Sequence, residues 1–143
     1  LHHKSQILKC HYHIIADTLK FKRPGLFSLL RGKVDVGVRF DLRIENPTDY
    51  DVAIEKNRVE VRHARDLVAQ GRIAPLAIPP HGTKVQTLAL NISLHPSVLA
   101  KGRALFKDKW SVTLYIEVAK GLEFPIYLRH TFTRAIEKKL GHK

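Results

Sequence analysis

His11 and His13 stand two residues apart in a stretch of alternating character, which puts both imidazoles on one face of a strand. Two rings so placed can seed a metal site. A finished site needs about three or four ligands and groups behind them that orient the rings. No Cys, Asp or Glu stands at a spacing that completes such a set, so no metal is expected. The single cysteine, Cys10, carries no sequence sign of activation and reads as a structural or bystander thiol. His63 and His130 fall on apolar parities and are expected as buried, hydrogen-bonded core residues. Asp35, Asp41 and Glu45 share a strand face with Arg39 and Arg43, the pattern of a solvated, charge-alternating surface. Acid–base work by a carboxylate pair would want one member driven into an apolar setting. The Gly-x-Ser-x-Gly elbow, phosphate-cradling glycine loops and the zinc-protease helix motif are absent. The chain is therefore read as non-enzymatic, with no cofactor and no small-molecule substrate.

Charge points to partners instead. The net charge is +12, from 25 Lys and Arg against 13 Asp and Glu. A field of that sign favours anionic lipid, nucleic acid or an acidic partner subunit, and it also favours solubility. The basic residues are spread along the chain. Their densest groups are Lys20, Lys22 and Arg23, then Lys138, Lys139, His142 and Lys143. Lys20, Lys22, Arg23, Lys138 and Lys139 are the candidate contacts to an anionic partner. Neither group forms the run of about four to eight basic residues typical of lipid-headgroup recognition. Tyr115 and Tyr127 occupy outward parities of strands expected to pair, and aromatics among cations are the signature of single-stranded nucleic acid binding. Ordinary cross-strand packing is the simpler reading.

The elements that must position these residues are strands. From Val34 to Ile44 every even position is apolar, namely Val34, Val36, Val38, Phe40, Leu42 and Ile44. The odd positions are charged or Gly, so this is a long strand with one buried and one wet face. Asn46-Pro47 ends it. His11–Lys22 alternates more loosely, with Ile15, Leu19 and Phe21 on one parity. Short strands follow at Val52–Glu55, at Arg58–His63 with Val59 and Val61 inward, and at Leu67–Ile73. Gly71 in the last marks a bulge or a close backbone approach. Pro79-Pro80-His81-Gly82 is a turn. Gln86–Leu94 and Trp110–Val118 alternate cleanly, and Lys120-Gly121 is a hairpin signal leading to Leu122, Phe124, Ile126 and Leu128. Pro96–Arg103 reads as the one helix. Leu26–Leu30 is too apolar for a solvated loop; it reads as a cap on one end of the core, with a partner-facing patch or the lid of an apolar ligand site as alternatives.

About seven strands with one short helix predict an antiparallel β-sandwich of immunoglobulin or fibronectin type III shape. Residues 1–9 are expected as a flexible end, 10–134 as a single sandwich domain and 135–143 as a basic tail. No apolar run approaches the ~20 residues that span a bilayer. One cysteine rules out an internal disulfide. The chain starts at Leu1 and holds no Met, as expected of a processed or excised piece of a longer product. His2-His3 is native or the remnant of a purification tag.

The order of these segments resembles a known family. Phe40–Pro47 is similar to its strand ending in Asn-Pro, Val52–Val61 to its next two strands, and Ile78-Pro79-Pro80-His81-Gly82-Thr83 to its Ile-Pro turn. Gly71 and Gln86–Leu94 also fall in place. The chain thus resembles the late embryogenesis abundant proteins of type 2, the water stress and hypersensitive response (WHy) domain, over about residues 34–133. The resemblance implies an antiparallel β-sandwich with one helix. It also implies a role in tolerance to desiccation, contact with proteins or membranes, and no catalytic residues. The setting it implies is a free soluble domain or one tethered to a membrane or in the periplasm.

Overall fold

Strict alternation makes strands because side chains on successive residues point to opposite faces, so one face can be buried whole. The computed structural model describes residues 4–22, 34–100, 104 and 107–128. The first sheet is built on two long strands, β2 (Val34–Glu45) and β7 (Thr83–Leu94). They pair antiparallel along their full length, with Val34 opposite Leu94 and Glu45 opposite Thr83. β1 (His11–Lys22) pairs with the other edge of β2. The second sheet has the order β5-β4-β8-β9, from β4 (Asn57–His63), β5 (Asp66–Gly71), β8 (Trp110–Ala119) and β9 (Leu122–Tyr127). A two-stranded ribbon of β3 (Val52–Ile54) and β6 (Leu76–Ile78) completes the architecture. The fold is an all-β antiparallel sandwich, with nine strands among the described residues where about seven were expected.

The core is built largely from the apolar positions that the alternation predicts to face inward. Phe40, Leu42, Ile44, Leu88, Leu90 and Ile92 come from the first sheet, and Val59, Val61, Val112, Leu114 and Ile116 from the second. Burying a large apolar side chain stabilises by about 1.5–3 kcal/mol, so these rows dominate the fold. Gly71 lies close against the first sheet: a Cβ there would lie 2.3 Å from Cδ2 of Leu90, so a side chain at position 71 would force Leu90 to move. The hairpin between β8 and β9 turns on Gly121, whose φ of 78° suits glycine, and the Glu117 carboxylate accepts its N–H at 2.9 Å.

Several local expectations are corrected. Ile15 does not share the inward row with Leu19, and Phe21, near the end of β1, is exposed. Ile15 pairs with Asp41 and Lys20 with Arg39, so the chain between them bulges and parity changes across it. Ile14, opposite Leu42, takes the inward place and is buried. The bulge closes on Thr18, whose hydroxyl donates to the Ile15 carbonyl at 2.6 Å and accepts the Asp41 N–H at 2.8 Å. Among the described N-terminal residues, Lys4–Lys9 form a 3-10 helix, η1, that buries Ile7 and packs beside β3. The expected helix over Pro96–Arg103 is described as α1, Pro96–Leu99, and residues 101–103 lie outside the described residues. The alternation gives no sign of β6, because three residues between Pro75 and Pro79 are too short to display a period. Leu122, expected to face inward, is exposed at the rim, while Phe124 and Ile126 are half-buried. β9 is an edge strand among the described residues, which is why it tolerates Pro125 opposite Tyr115. No helix among the described residues is long and apolar enough to cross a membrane.

Candidate functional site

Lys20 is the one predicted contact residue whose side chain falls within the described region. It is exposed on the outer face of the first sheet, directly opposite Arg39. The β1 bulge puts it there, since without the extra residues Lys20 would fall on another register. Two like charges facing each other across an antiparallel pair repel, so the pair depends on carboxylates close by. Asp17 and Asp41 line the same shallow depression of about 360 Å³, together with Thr18 and Thr87. Asp41 in turn accepts the Thr87 hydroxyl at 2.6 Å. The depression is therefore balanced, two cations against two carboxylates. Lys22 ends β1, while Arg23, Lys138 and Lys139 lie outside the described residues, as does Leu26–Leu30.

The outer face of the second sheet holds a tighter charge cluster that sequence reading passed over. Arg58, Glu60 and Arg62 alternate along β4 and so share its outer face. Glu60 is buried there, bonded by Arg58 and by the Arg62 Nη2 at 3.1 Å. Arg58 also reaches Glu123 on β9 at 3.0 Å and lies over the Tyr115 ring, 3.9 Å from its centre. The hydrogen bond to Glu123 raises the Arg58 pKa, so the guanidinium is charged at any accessible pH. The Arg-x-Glu-x-Arg spacing was a legible signal for this cluster. Its lateral partners Glu123 and Tyr115 needed strand register, which spacing does not reveal. Beside it lies an open cleft of about 370 Å³ lined by Asn57, Arg58, Glu60, Gln70, Gly71 and Arg72. Tyr115 is thus committed to Arg58, and Tyr127 stands exposed on the edge strand.

The histidines divide as follows. His63 is buried and bonds Asp108 through Nε2 at 2.8 Å, with the Trp110 ring packed 4.8 Å away. That matches the core role expected for it, while His130 lies outside the described residues. His13 bonds the Arg43 guanidinium, and no group of three His, Cys, Asp or Glu suited to a metal exists among the described residues. Cys10 is a buried free thiol whose Sγ donates to the Gln6 carbonyl at 3.5 Å. Burial pushes its pKa up, and burial likewise raises that of the adjacent Tyr12, whose hydroxyl donates to the Ile7 carbonyl at 2.7 Å.

Asn46 joins the two segments that carry the family resemblance. Its buried side-chain amide donates to the carbonyls of Tyr50, Ile78 and Pro79, at 2.7, 3.1 and 3.1 Å. Its oxygen accepts from the N–H and hydroxyl of Thr48 at 3.0 and 2.6 Å. The Asn46 backbone N–H donates to the Gly82 carbonyl at 2.9 Å. The Asn-Pro end of β2 and the Ile-Pro-Pro-His-Gly turn are one bonded unit, and its work is structural.

No family model matches the chain, and no curated protein matches it. Among solved structures the chain is similar to a crystal structure of a protein from Archaeoglobus fulgidus, at 12% identity and a TM-score of 0.40. That alignment covers 83% of this chain and 86% of the other.

Charge is spread along the sequence but not balanced along it. Residues 34–100 hold eight Lys or Arg and eight Asp or Glu and cancel. Residues 23–33 hold Arg23, Arg31 and Lys33 with no acid, and residues 101–107 hold Lys101, Arg103 and Lys107 with none. Residues 129–143 hold five cations against Glu137. The excess therefore sits outside the central strands.

Proposed function

We propose that this chain is a non-enzymatic module of the stress-response type, protective or accessory under desiccation, that acts by surface contact with proteins or membranes. The observation that carries the reading is the bonded unit around Asn46. The ordered segments that resemble the WHy pattern are adjacent in space and bonded through one side chain. Paired charges on both outer faces, such as Arg43 with Glu45 and Arg58 with Glu123, support contact rather than chemistry. A setting tethered to a membrane or in the periplasm belongs to the same proposal. The test is inactivation of a labile enzyme during drying, with and without this protein. Protection beyond that of an unrelated basic domain of equal charge is expected; equal protection by both removes the reading.

The charge partition favours a second reading, a basic adaptor that docks on anionic lipid, nucleic acid or an acidic subunit. Counterion release makes such binding fall steeply with salt. A salt titration of binding is the test, and absence of binding to any polyanion at low salt ends it.

A further inference from the structure

We infer that the outer face of the second sheet, from Gln70 on β5 to Tyr127 on β9, is a binding site for a neutral oligosaccharide. Such a site is separate from the surface contacts proposed above. Strand register lays out the place. Gln70 stands opposite Glu60, Glu60 opposite Thr113, and Thr113 opposite Tyr127. Partners across a pair point to the same face, and the flanking Val59, Val61, Val112 and Leu114 point the other way, into the core. The four side chains therefore form one row across the whole sheet, about 14 Å long at ~4.8 Å per strand. Its ends are exposed, Tyr127 at 74%, whereas Glu60 and Thr113 in the middle are buried. The row is thus a shallow trough with a polar floor, and the cleft lined by Arg58 and Gln70 deepens one end of it.

The floor has hydrogen-bonding capacity left over. Thr113 is only 8% exposed, yet its hydroxyl makes no hydrogen bond among the described residues and is not sealed off from the surface. Buried polar groups are normally bonded, so a hydroxyl that the fold leaves open on a trough floor is fit for an outside partner. The Gln70 side chain likewise makes no bond among the described residues, and its amide offers two donors and an acceptor. Arg62 donates to Glu60 and to the Arg65 carbonyl, which holds its guanidinium in place with further N–H groups to spare.

The kind of ligand follows from charge and from the aromatic end. Arg58 and Arg62 bond Glu60, and Arg58 also bonds Glu123. Two guanidiniums face two carboxylates, so the floor offers a polyanion no excess charge; Arg72, exposed at the rim, lies outside this network. A neutral ligand with many hydroxyls fits better. A sugar ring carries hydroxyls round its edge and C–H groups on its faces, so planar hydrogen-bonding side chains and one open aromatic ring suit it together. Tyr115 is covered by Arg58, which leaves Tyr127 as the ring free to stack. A protein partner is served less well, because the centre of a protein interface wants apolar anchors and this centre is a carboxylate and a hydroxyl.

The experiment is isothermal titration calorimetry of the full chain with cellotetraose, maltotetraose and chitotetraose, and with tetragalacturonate as the acidic probe. The variants are Tyr127→Ala, Gln70→Ala and Thr113→Val, with Tyr50→Ala as an exposed tyrosine elsewhere. Circular dichroism verifies that each folds, and Thr113→Val keeps the shape of the side chain while removing the hydroxyl. Binding to at least one neutral probe is expected, equal at low and high salt. Tyr127→Ala is expected to weaken it roughly tenfold. Thr113→Val and Gln70→Ala are expected to weaken it roughly threefold or more, the former with no loss of thermal stability. Tyr50→Ala is expected to leave it unchanged. Binding of tetragalacturonate alone overturns the choice of a neutral ligand. Equal weakening by Tyr127→Ala and Tyr50→Ala, or none by Thr113→Val, overturns the placement. Binding to none of the four probes overturns the site itself and leaves both proposed functions standing.

Discussion

The Asn46 side-chain amide donates to the Ile78 carbonyl across 3.1 Å, joining residues 32 apart in sequence. A further bond from the same amide, to the Pro79 carbonyl, also ties the loop after β2 to the turn before β7, while its bonds with Thr48 and Tyr50 shape that loop itself. Asn46→Ala leaves buried carbonyls unpaired and is expected to cost about 2–4 kcal/mol. Asn46→Asp is expected to be as harmful, since a carboxylate cannot donate. Urea denaturation reads both as a lower midpoint with an unchanged slope.

Gly71→Ala is expected to destabilise by about 1–3 kcal/mol, because the new methyl meets a Leu90 side chain already packed in the core. Trimming the neighbour to Val in the double variant Gly71→Ala, Leu90→Val restores part of the loss. Thermal melts of the single and double variants form the cycle that checks it.

Arg58 and Arg62 both bond Glu60, yet they are not equivalent. Arg58 also bonds Glu123 and covers the Tyr115 ring. Arg58→Ala is expected to cost about 1–3 kcal/mol and Arg62→Ala under about 1 kcal/mol. Comparable losses in chemical denaturation would refute the asymmetry.

Cys10 and Tyr12 have pKa values raised by burial, so folding favours their neutral forms. Their contribution is complete below the unfolded-state values and is lost as pH rises above them, from near the ordinary thiol value of 9.0 upward. Stability is thus expected to decline above about pH 9, less steeply in Cys10→Ala. A thiol reagent is expected to label Cys10 slowly in the native protein and quickly in urea.

Sequence reached the fold through rows such as Phe40 to Ile44 and Trp110 to Val118, because one buried face leaves a period that a reader can count. It failed where the period breaks or is too short. Ile15 was misplaced because the bulge before Lys20 inserts residues that no residue type announces. Three residues of β6 hold too little pattern to see. Of the candidate contacts, Lys20 was found by charge density, whereas Arg39 opposite it depends on which strand becomes the neighbour. Glu60 was missed because its burial comes from flanking guanidiniums rather than from its own parity.

Pro125 has a further consequence. A rim strand with a full set of amide hydrogens is a template on which a second molecule can lengthen the sheet. The pyrrolidine nitrogen removes one donor from β9, and the β1 bulge disturbs the register at the first sheet's rim. These two of the four rims of the larger sheets, among the described residues, thereby interrupt the ladder that edge-to-edge growth of a second molecule would require.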